Sequence, residues 1–406
     1  VSTTSFTVTI NDTENPVIAN TPSNITQNND LGNCDAIVTW NAPTATDNCA
    51  VATFVSTHNS GDVFPEGTTT VTYTATDIHN NVSTTSFTVT INDTENPVIT
   101  CIPSTILSTD QDVCTYTITN NTWDVLATDN CAIQTISYTL TGATNANGLN
   151  SIQGLVFNLG STNVLWTVVD IHGNISTCQF NITVEDTQLP NVTSTSVASS
   201  PDINDYVCGS LFTFSTQPTN CFVTKTIAKP SWFDNCDQNL SLTFSANNGV
   251  ILSNIGDVVL GNFPLGITSV TFTATDNFGN IQSCIVNIEV QDLVAPVLTN
   301  CPTSLVISAN NSCDLFVPLN APIVFENCSL STINYTLSGA TIATGSGFLN
   351  GFTFNLGQTQ ILYTIIDASG NFTTCEFTVT ITDTTAPNIT APAAMTVNAN
   401  TNCQAV

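Results

Sequence analysis

Along TTTVTYTATD (68–77), Val71, Tyr73 and Ala75 alternate with Thr70, Thr72 and Thr74, and along SFTVTI (86–91), Phe87, Val89 and Ile91 alternate with polar residues. A period of two in β-branched and aromatic residues predicts strands with one buried face. Turn signals such as FPEG and FNLG separate these strands, and helix formers and helix caps are scarce. Roughly seven short strands in about 80 to 100 residues is the pattern of an immunoglobulin-like sandwich.

The pattern recurs. Asp-Thr or Asp-Leu, two residues and Pro appear as DTENP at Asp12 and Asp93, DTQLP at Asp186, DLVAP at Asp292 and DTTAP at Asp383. Each of the first four is followed by the triplet DNC (ENC once) and then by DIHNN at Asp77, DIHGN at Asp170, DNFGN at Asp276 or DASGN at Asp367. The predicted organisation is the last strand of a preceding repeat (1–11), four repeats (12–92, 93–185, 186–291 with an insertion, and 292–382) and the start of a following one (383–406). VSTTSFTVTINDTENPVI at 1–18 is repeated letter for letter at 82–99, so the chain reads as a window on a longer array. A solenoid is disfavoured, because the period is long and each unit carries its own core and staples. The expected fold is all-β: tandem immunoglobulin-like β-sandwich domains in an extended rod, stapled by disulfides.

Composition narrows the partners. The net charge is −28, with no arginine and only Lys225 and Lys229 as lysines. Nucleic acid needs cationic side chains to displace phosphate counterions, so it is excluded as a partner. Anionic membrane surfaces are disfavoured, and no apolar run approaches the ~18 residues of a membrane helix. Cations, neutral glycans and neighbouring repeats of the same chain suit this surface. Fifteen cysteines with three histidines and no CxxC point to disulfides and an oxidising, extracellular setting.

Four cysteines in a repeat allow three pairings. The second repeat has Cys101, Cys114, Cys131 and Cys178, and the fourth has Cys301, Cys313, Cys328 and Cys375; the first keeps only Cys34 and Cys49, with Asn20 and Thr85 in place of Cys101 and Cys178. Joint loss is what a bonded pair predicts. The expected long staples are therefore Cys101–Cys178 and Cys301–Cys375, and the short ones Cys34–Cys49, Cys114–Cys131 and Cys313–Cys328. In the third repeat Cys208, within the insertion, is expected to pair with Cys284, leaving Cys221 with Cys236. Cys403 belongs to the last, partial repeat, its partner expected beyond the window.

The ordered set DTENP, APTATDNC, FPEGTTTVTYTATD and SFTVTIND in the first repeat, and CPTSLVIS, ENC, DASGN and CEFTVTITD in the fourth, resembles the HYR (hyalin repeat) domain. The resemblance implies an immunoglobulin-like extracellular module associated with adhesion. Long arrays rich in Thr and Asn also look like giant cell-surface adhesins of Bacteroidota of the SprB gliding type. The implied function is a structural stalk segment of a large secreted adhesin or filament, for surface adhesion or gliding motility. The alternative is a glycan- or protein-binding module with its site in the atypical third repeat. Surface polysaccharides and other cell-surface proteins are the implied partners.

The junction TVTINDTENPVI further resembles the calcium-binding linkers of cadherins. Calcium takes six to eight oxygen ligands, and Asp12, Glu14, Asp77, Asp93 and Glu95 are the candidate ligands. No cofactor is required otherwise. The same residues also read simply as a strand end, and Asp-x-x-Gly-Asn as a hairpin turn. HExxH, GxSxG, P-loop and dinucleotide motifs are all missing, so the chain does not read as an enzyme.

Overall fold

The computed structural model describes residues 1–310 and 312–397, so Cys403 lies outside the described residues. Among the described residues every regular element is a strand, and no helix is long and apolar enough to cross a membrane. The chain divides into two compact units, Val1–Gln188 and Leu189–Val406.

In the first unit, residues 17–92 form eight strands: β1 (Val17–Ala19), β2 (Ile25–Asn28), β3 (Asp35–Ile37), β4 (Thr44–Thr46), β5 (Val51–Ser56), β6 (Val63–Pro65), β7 (Gly67–Asp77) and β8 (Val82–Asn92). One sheet has the order β2-β8-β7-β5, and two short ladders, β1-β4 and β3-β6, accompany it. Only β2 runs parallel to its neighbour, β8. The alternation seen in the sequence becomes burial: Ala75 is buried, and Val71, Tyr73, Phe87, Val89 and Ile91 are buried and pack with Ala36 and Phe64 of β3 and β6. Each large apolar side chain so buried contributes roughly 1.5–3 kcal/mol from apolar surface removed from water. Residues 98–185 repeat the arrangement around a fully buried Trp166, with Thr105–Ser108 again parallel to the last strand.

The second unit holds two further cores. One surrounds Phe263, Phe272 and Val286, and the other Phe354, Tyr363 and Val379. In both, the early strand (Leu211–Ser215, Leu305–Ala309) runs parallel to the last one (Ile281–Gln291, Phe372–Asp383). The insertion of the third repeat therefore leaves this ladder in place. It adds the buried Tyr206, whose hydroxyl donates to the Ala228 carbonyl at 2.7 Å.

Three expectations need correction. Residues 1–11 form no strand, and Phe6, Val8 and Ile10 are exposed, although the identical segment 82–92 is β8 with its apolar face buried. A strand exists through its ladder, and 1–11 have no neighbour to pair with among the described residues. Likewise 384–397 form no strand.

The second correction concerns the short staples. Cys34 bonds Cys131 and Cys221 bonds Cys328, each bridging successive repeats. Cys49 and Cys313 are exposed free thiols. Cys114 and Cys236 are engaged in disulfides, but not with Cys131 or Cys221. The reason is distance along the sandwich. The Cys34 carbonyl accepts from Glu66 N, just before β7 begins, whereas Cys49 lies beside Asp12 and His79, past the far end of β7. An 11-residue strand separates these poles by roughly 33 Å, and a disulfide needs Cα atoms within about 7 Å. Cys34 and Cys131 have theirs at 4.7 Å. The long staples are Cys101–Cys178, Cys208–Cys284 and Cys301–Cys375.

The third is a register detail. In the first repeat the residue facing Thr85 is Thr21, whose hydroxyl donates to Thr85 Oγ1 at 3.1 Å, rather than Asn20. A polar contact occupies the place of the missing long staple.

Candidate functional site

The period-two alternation that builds each core ends in a carboxylate. Val71, Tyr73 and Ala75 on the inward face of β7 are followed by Asp77, and Phe87, Val89 and Ile91 of β8 by Asp93; Asp77 is 1% exposed and Asp93 6%. The corresponding hairpin of the next repeat carries Val164, Trp166 and Val168 to Asp170, which is 0% exposed. Strand geometry thus delivers acids to the poles of the sandwich, where repeats meet.

At each pole the loop acid of DNC joins them. Single carboxylate oxygens of Asp12, Asp47 and Asp77 lie within 4.8 Å of one another, as do those of Asp93, Asp129 and Asp170. Every member spends part of its hydrogen-bonding capacity on holding its own loop. Asp77 Oδ1 accepts from His79 N and Asn81 N, both at 2.8 Å, and Oδ2 from Asn81 Nδ2 at 2.7 Å. Asp170 does the same with His172 and Asn174. Asp47 Oδ2 accepts from Cys49 N, and Asp129 Oδ2 from Cys131 N at 2.9 Å. The turn reading of these motifs is therefore correct as far as it goes, but it leaves the other oxygens of Asp47 and Asp129 over.

Those leftover oxygens matter. Asp47 Oδ1 and Asp129 Oδ1 are buried and receive no hydrogen bond, while the buried Asp12 Oδ2 and Asp93 Oδ2 are the oxygens that face histidines. The nearest cationic groups are histidines, His79 Nδ1 at 3.4 Å from Asp12 and His172 Nδ1 at 3.3 Å from Asp93. Asp12, Asp77 and Asp170 are nonetheless held below the ordinary carboxylate range. The Glu14 amide keeps the Asp12 pKa below its ordinary value. Burial pushes Asp77 and Asp170 up, but the Asn81 and His79 donors, and the Asn174 and His172 donors, outweigh it and hold both below the ordinary value. Two like charges about 4 Å apart repel by about 4 kcal/mol at an effective dielectric near 20.

The second pole is also a joint between the first and second repeats. Asn130 of DNC donates to the Asn33 carbonyl at 3.0 Å and to Asp93 Oδ1 at 3.1 Å, next to the Cys34–Cys131 disulfide. His172 Nε2 lies 2.9 Å from Glu66 Oε1. Burial would lower the His172 pKa, but Glu66 and Asp93 overcome it and raise it. In the second unit the same parts recur: Asn327 donates to Thr216 Oγ1 at 3.0 Å and Asp292 Oδ1 at 3.3 Å, beside Cys221–Cys328.

Of the five acids expected to bind calcium, Asp12 and Asp77 come together in one cluster and Asp93 belongs to the next. Glu14 and Glu95 stand apart. Glu14 is exposed. Glu95 Oε1 instead accepts from Gly32 N at 2.8 Å and Asn29 Nδ2 at 3.0 Å, capping a loop of the preceding repeat. Gln188, at the corresponding position of DTQLP, accepts from Asp112 N at 2.9 Å in the same manner. An uncharged amide serves there because the role is that of an acceptor. Asp47, Asp129 and Asp170 were missed; for Asp170, the signal was its place on the inward register of its strand.

The third repeat offers a different feature. A cleft of about 550 Å³ is lined by Lys229, Trp232, Gln238, Asn239 and Asp257 among others. Lys229 Nζ donates to Asn254 Oδ1 and to the Gly256 carbonyl.

Residues 11–91 and 291–381 match the HYR domain family. Hyalin of Strongylocentrotus purpuratus is 31% identical over 410 residues, 96% of this chain and 30% of that protein. Hyalin of Lytechinus variegatus is 30% identical over 390 residues, 95% of this chain and 66% of that protein. Two of the chain's four repeats thus match the HYR family, and the two hyalins align with nearly the whole chain. The chain spans less than two thirds of the length of either hyalin. A shorter match, 33% over 119 residues, joins it to the sushi, von Willebrand factor type A, EGF and pentraxin domain-containing protein 1 of Rattus norvegicus. Among solved structures, protocadherin gamma B2 extracellular cadherin domains 3–6 align with 91% of this chain and 100% of that chain, at 13% identity and a TM-score of 0.38. Sidekick-1 immunoglobulin domains 1–5 align with 91% and 81% at 10% identity and a TM-score of 0.27. Superpositions this loose carry no argument. The disulfides of the chain point to an oxidising, extracellular setting.

Proposed function

We propose that this array is a load-bearing segment of a secreted, cell-surface adhesion protein, and that it acts as a stalk and not as the adhesive tip. The observation that carries this is the disulfide running from one repeat to the next, Cys34–Cys131 and again Cys221–Cys328. A staple within a domain protects that domain, whereas a staple across a joint resists separation of its neighbours. The Asn130 and Asn327 bridges and the His172–Glu66 pair support the joints noncovalently. A filament for gliding motility is the finer form of this proposal, and the Thr- and Asn-rich composition is its support.

Replacement tests it. In the intact protein, exchanging 12–382 for an unrelated rigid array of equal length should leave attachment to the target surface unchanged. Loss of attachment, with saturable binding of the isolated chain to that surface, would refute the stalk role. The second reading, a glycan- or protein-binding module, is favoured by the Trp232 cleft, since an aromatic face beside amide and carboxylate groups suits a sugar ring. Trp232→Ala abolishing that saturable binding would support it.

A further inference from the structure

We propose that the pole of the first repeat carrying Cys49 is a docking face for the Cys313 end of a second copy of this chain, closed by an intermolecular Cys49–Cys313 disulfide. An exposed thiol alone would not mark a site. What marks this one is that the same residues of the second repeat are seen engaged. Cys131 bonds Cys34, Asn130 donates to the Asn33 carbonyl, His172 pairs with Glu66, and Glu95 caps Gly32 and Asn29. The first repeat carries the same four residue types at the corresponding places, as Cys49, Asn48, His79 and Glu14. Cys49 is a free thiol, and all four are exposed, whereas Asn130 and Cys131, like Asn327 and Cys328 of the fourth repeat, are half-buried in their joints. The face is also prearranged. Asn48 donates to Asp12 as Asn130 does to Asp93, and His79 Nδ1 lies 3.4 Å from Asp12 as His172 Nδ1 lies 3.3 Å from Asp93. The contacts that aim these side chains are made, and the outward ones are open.

Cys313 supplies the other half. It is exposed, whereas Cys34 and Cys221, which hold the corresponding place in their repeats, are half-buried. Its backbone frame is that of Cys34. Leu356 N donates to the Cys313 carbonyl at 3.1 Å, as Glu66 N does to the Cys34 carbonyl. Each cysteine immediately precedes a strand paired antiparallel with the strand before that donor, 314–318 with 351–355 and 35–37 with 63–65. Both bonded joints hold their Cα atoms 4.7 Å apart, so one geometry already serves two different pairs of repeats. The Asn48 amide needs only a backbone carbonyl, such as Asn327 finds in Gln217 at 3.3 Å. Leu356 stands where Glu66 does, so His79 gains no carboxylate from this partner. Closure needs an oxidant of the glutathione-disulfide class. One cysteine thiolate displaces a glutathione thiolate and forms a mixed disulfide; the other displaces the second, so two electrons and two protons leave with two reduced glutathiones.

The test uses the 406-residue chain with Cys403→Ser, so that the cysteine outside the described residues cannot compete. It is incubated at high concentration with oxidised glutathione at about 0.15 M salt, where exposed charges more than about 8 Å apart are screened. Nonreducing electrophoresis should show a ladder of multimers, and peptide mapping should find Cys49 joined to Cys313, with Cys34–Cys131 and Cys221–Cys328 intact. Cys49→Ser and Cys313→Ser should each leave monomer, and an equimolar mixture of the two should stop at the dimer. Asn48→Ala should slow the coupling about 2- to 12-fold, the worth of one hydrogen bond. Cys49–Cys49 or Cys313–Cys313 links as abundant as the mixed one would overturn the proposal, because they report collision without docking. So would a chain that stays monomeric, or a coupling rate indifferent to Asn48→Ala. A Cys49–Cys313 bond within a single chain would overturn the assignment to a second copy.

Discussion

The joint disulfide dictates how far the array can be drawn out. In a 12–188 segment pulled from its ends, the taut covalent path crosses from Cys34 to Cys131, returns along the chain to Cys101 and crosses to Cys178. Cys34→Ser/Cys131→Ser replaces the return of about 30 residues with the forward run of about 67 from residue 34 to residue 101. The fully extended length should grow by about 37 residues, or about 125 Å at ~3.4 Å per residue. Single-molecule pulling after alkylation of free thiols reads this directly. Staples confined to single repeats would free only the roughly 15 residues between Cys34 and Cys49, about 50 Å. A gain near that smaller figure, or none, would refute the force path described here.

Thr21→Cys/Thr85→Cys should close the long staple missing from the first repeat, since the two hydroxyls already meet at 3.1 Å. The chain-entropy ceiling is about 4 kcal/mol, to be read by nonreducing peptide mapping and calorimetry, and a pair that stays reduced in air counts against the register. Gly148 lies opposite Tyr138, and a Cβ there would sit 2.6 Å from ring atom Cζ. Gly148→Ala should therefore cost about 1–3 kcal/mol, and an unchanged unfolding midpoint would contradict that packing. Asp202 accepts from Thr226 N, Thr226 Oγ1 and Lys225 Nζ; burial pushes its pKa up, but these donors hold it below 3.8. A depressed carboxylate pKa stabilises above its unfolded value and loses that stabilisation as pH falls through the folded one. Asp202→Asn should therefore lower the melting temperature near neutrality and narrow the gap from wild type below about pH 3.8; a gap constant with pH would contradict this.

Much of the fold was legible because strands declare themselves by alternation, and 68–77 and 86–91 are strands with the predicted face buried. The copy at 1–11 shows the limit: Phe6 and Phe87 sit in identical segments, yet Phe6 is 88% exposed and Phe87 3%. Periodicity reports what a segment can bury, and only its neighbours decide whether it does. The cysteines fail in a related way. Joint loss identified the long staples because both partners of each lie within one repeat. Cys34 and Cys49 are close in sequence but at opposite ends of the sandwich, and no count within one repeat reveals that Cys34 meets the next repeat's Cys131. The acids sat between these cases. Asp77 and Asp93 lie in register with the core positions before them, whereas Glu95 looked like a ligand by composition and proved to be a loop cap.

A protein outside the cell must also survive hydrolysis. Exposed loops are where proteases nick a folded chain, and a single cut ordinarily severs it. Here a cut at any peptide bond between Cys34 and Cys131, or between Cys221 and Cys328, leaves the two fragments covalently joined through the bond that spans them. The array can be clipped within those stretches and still hold.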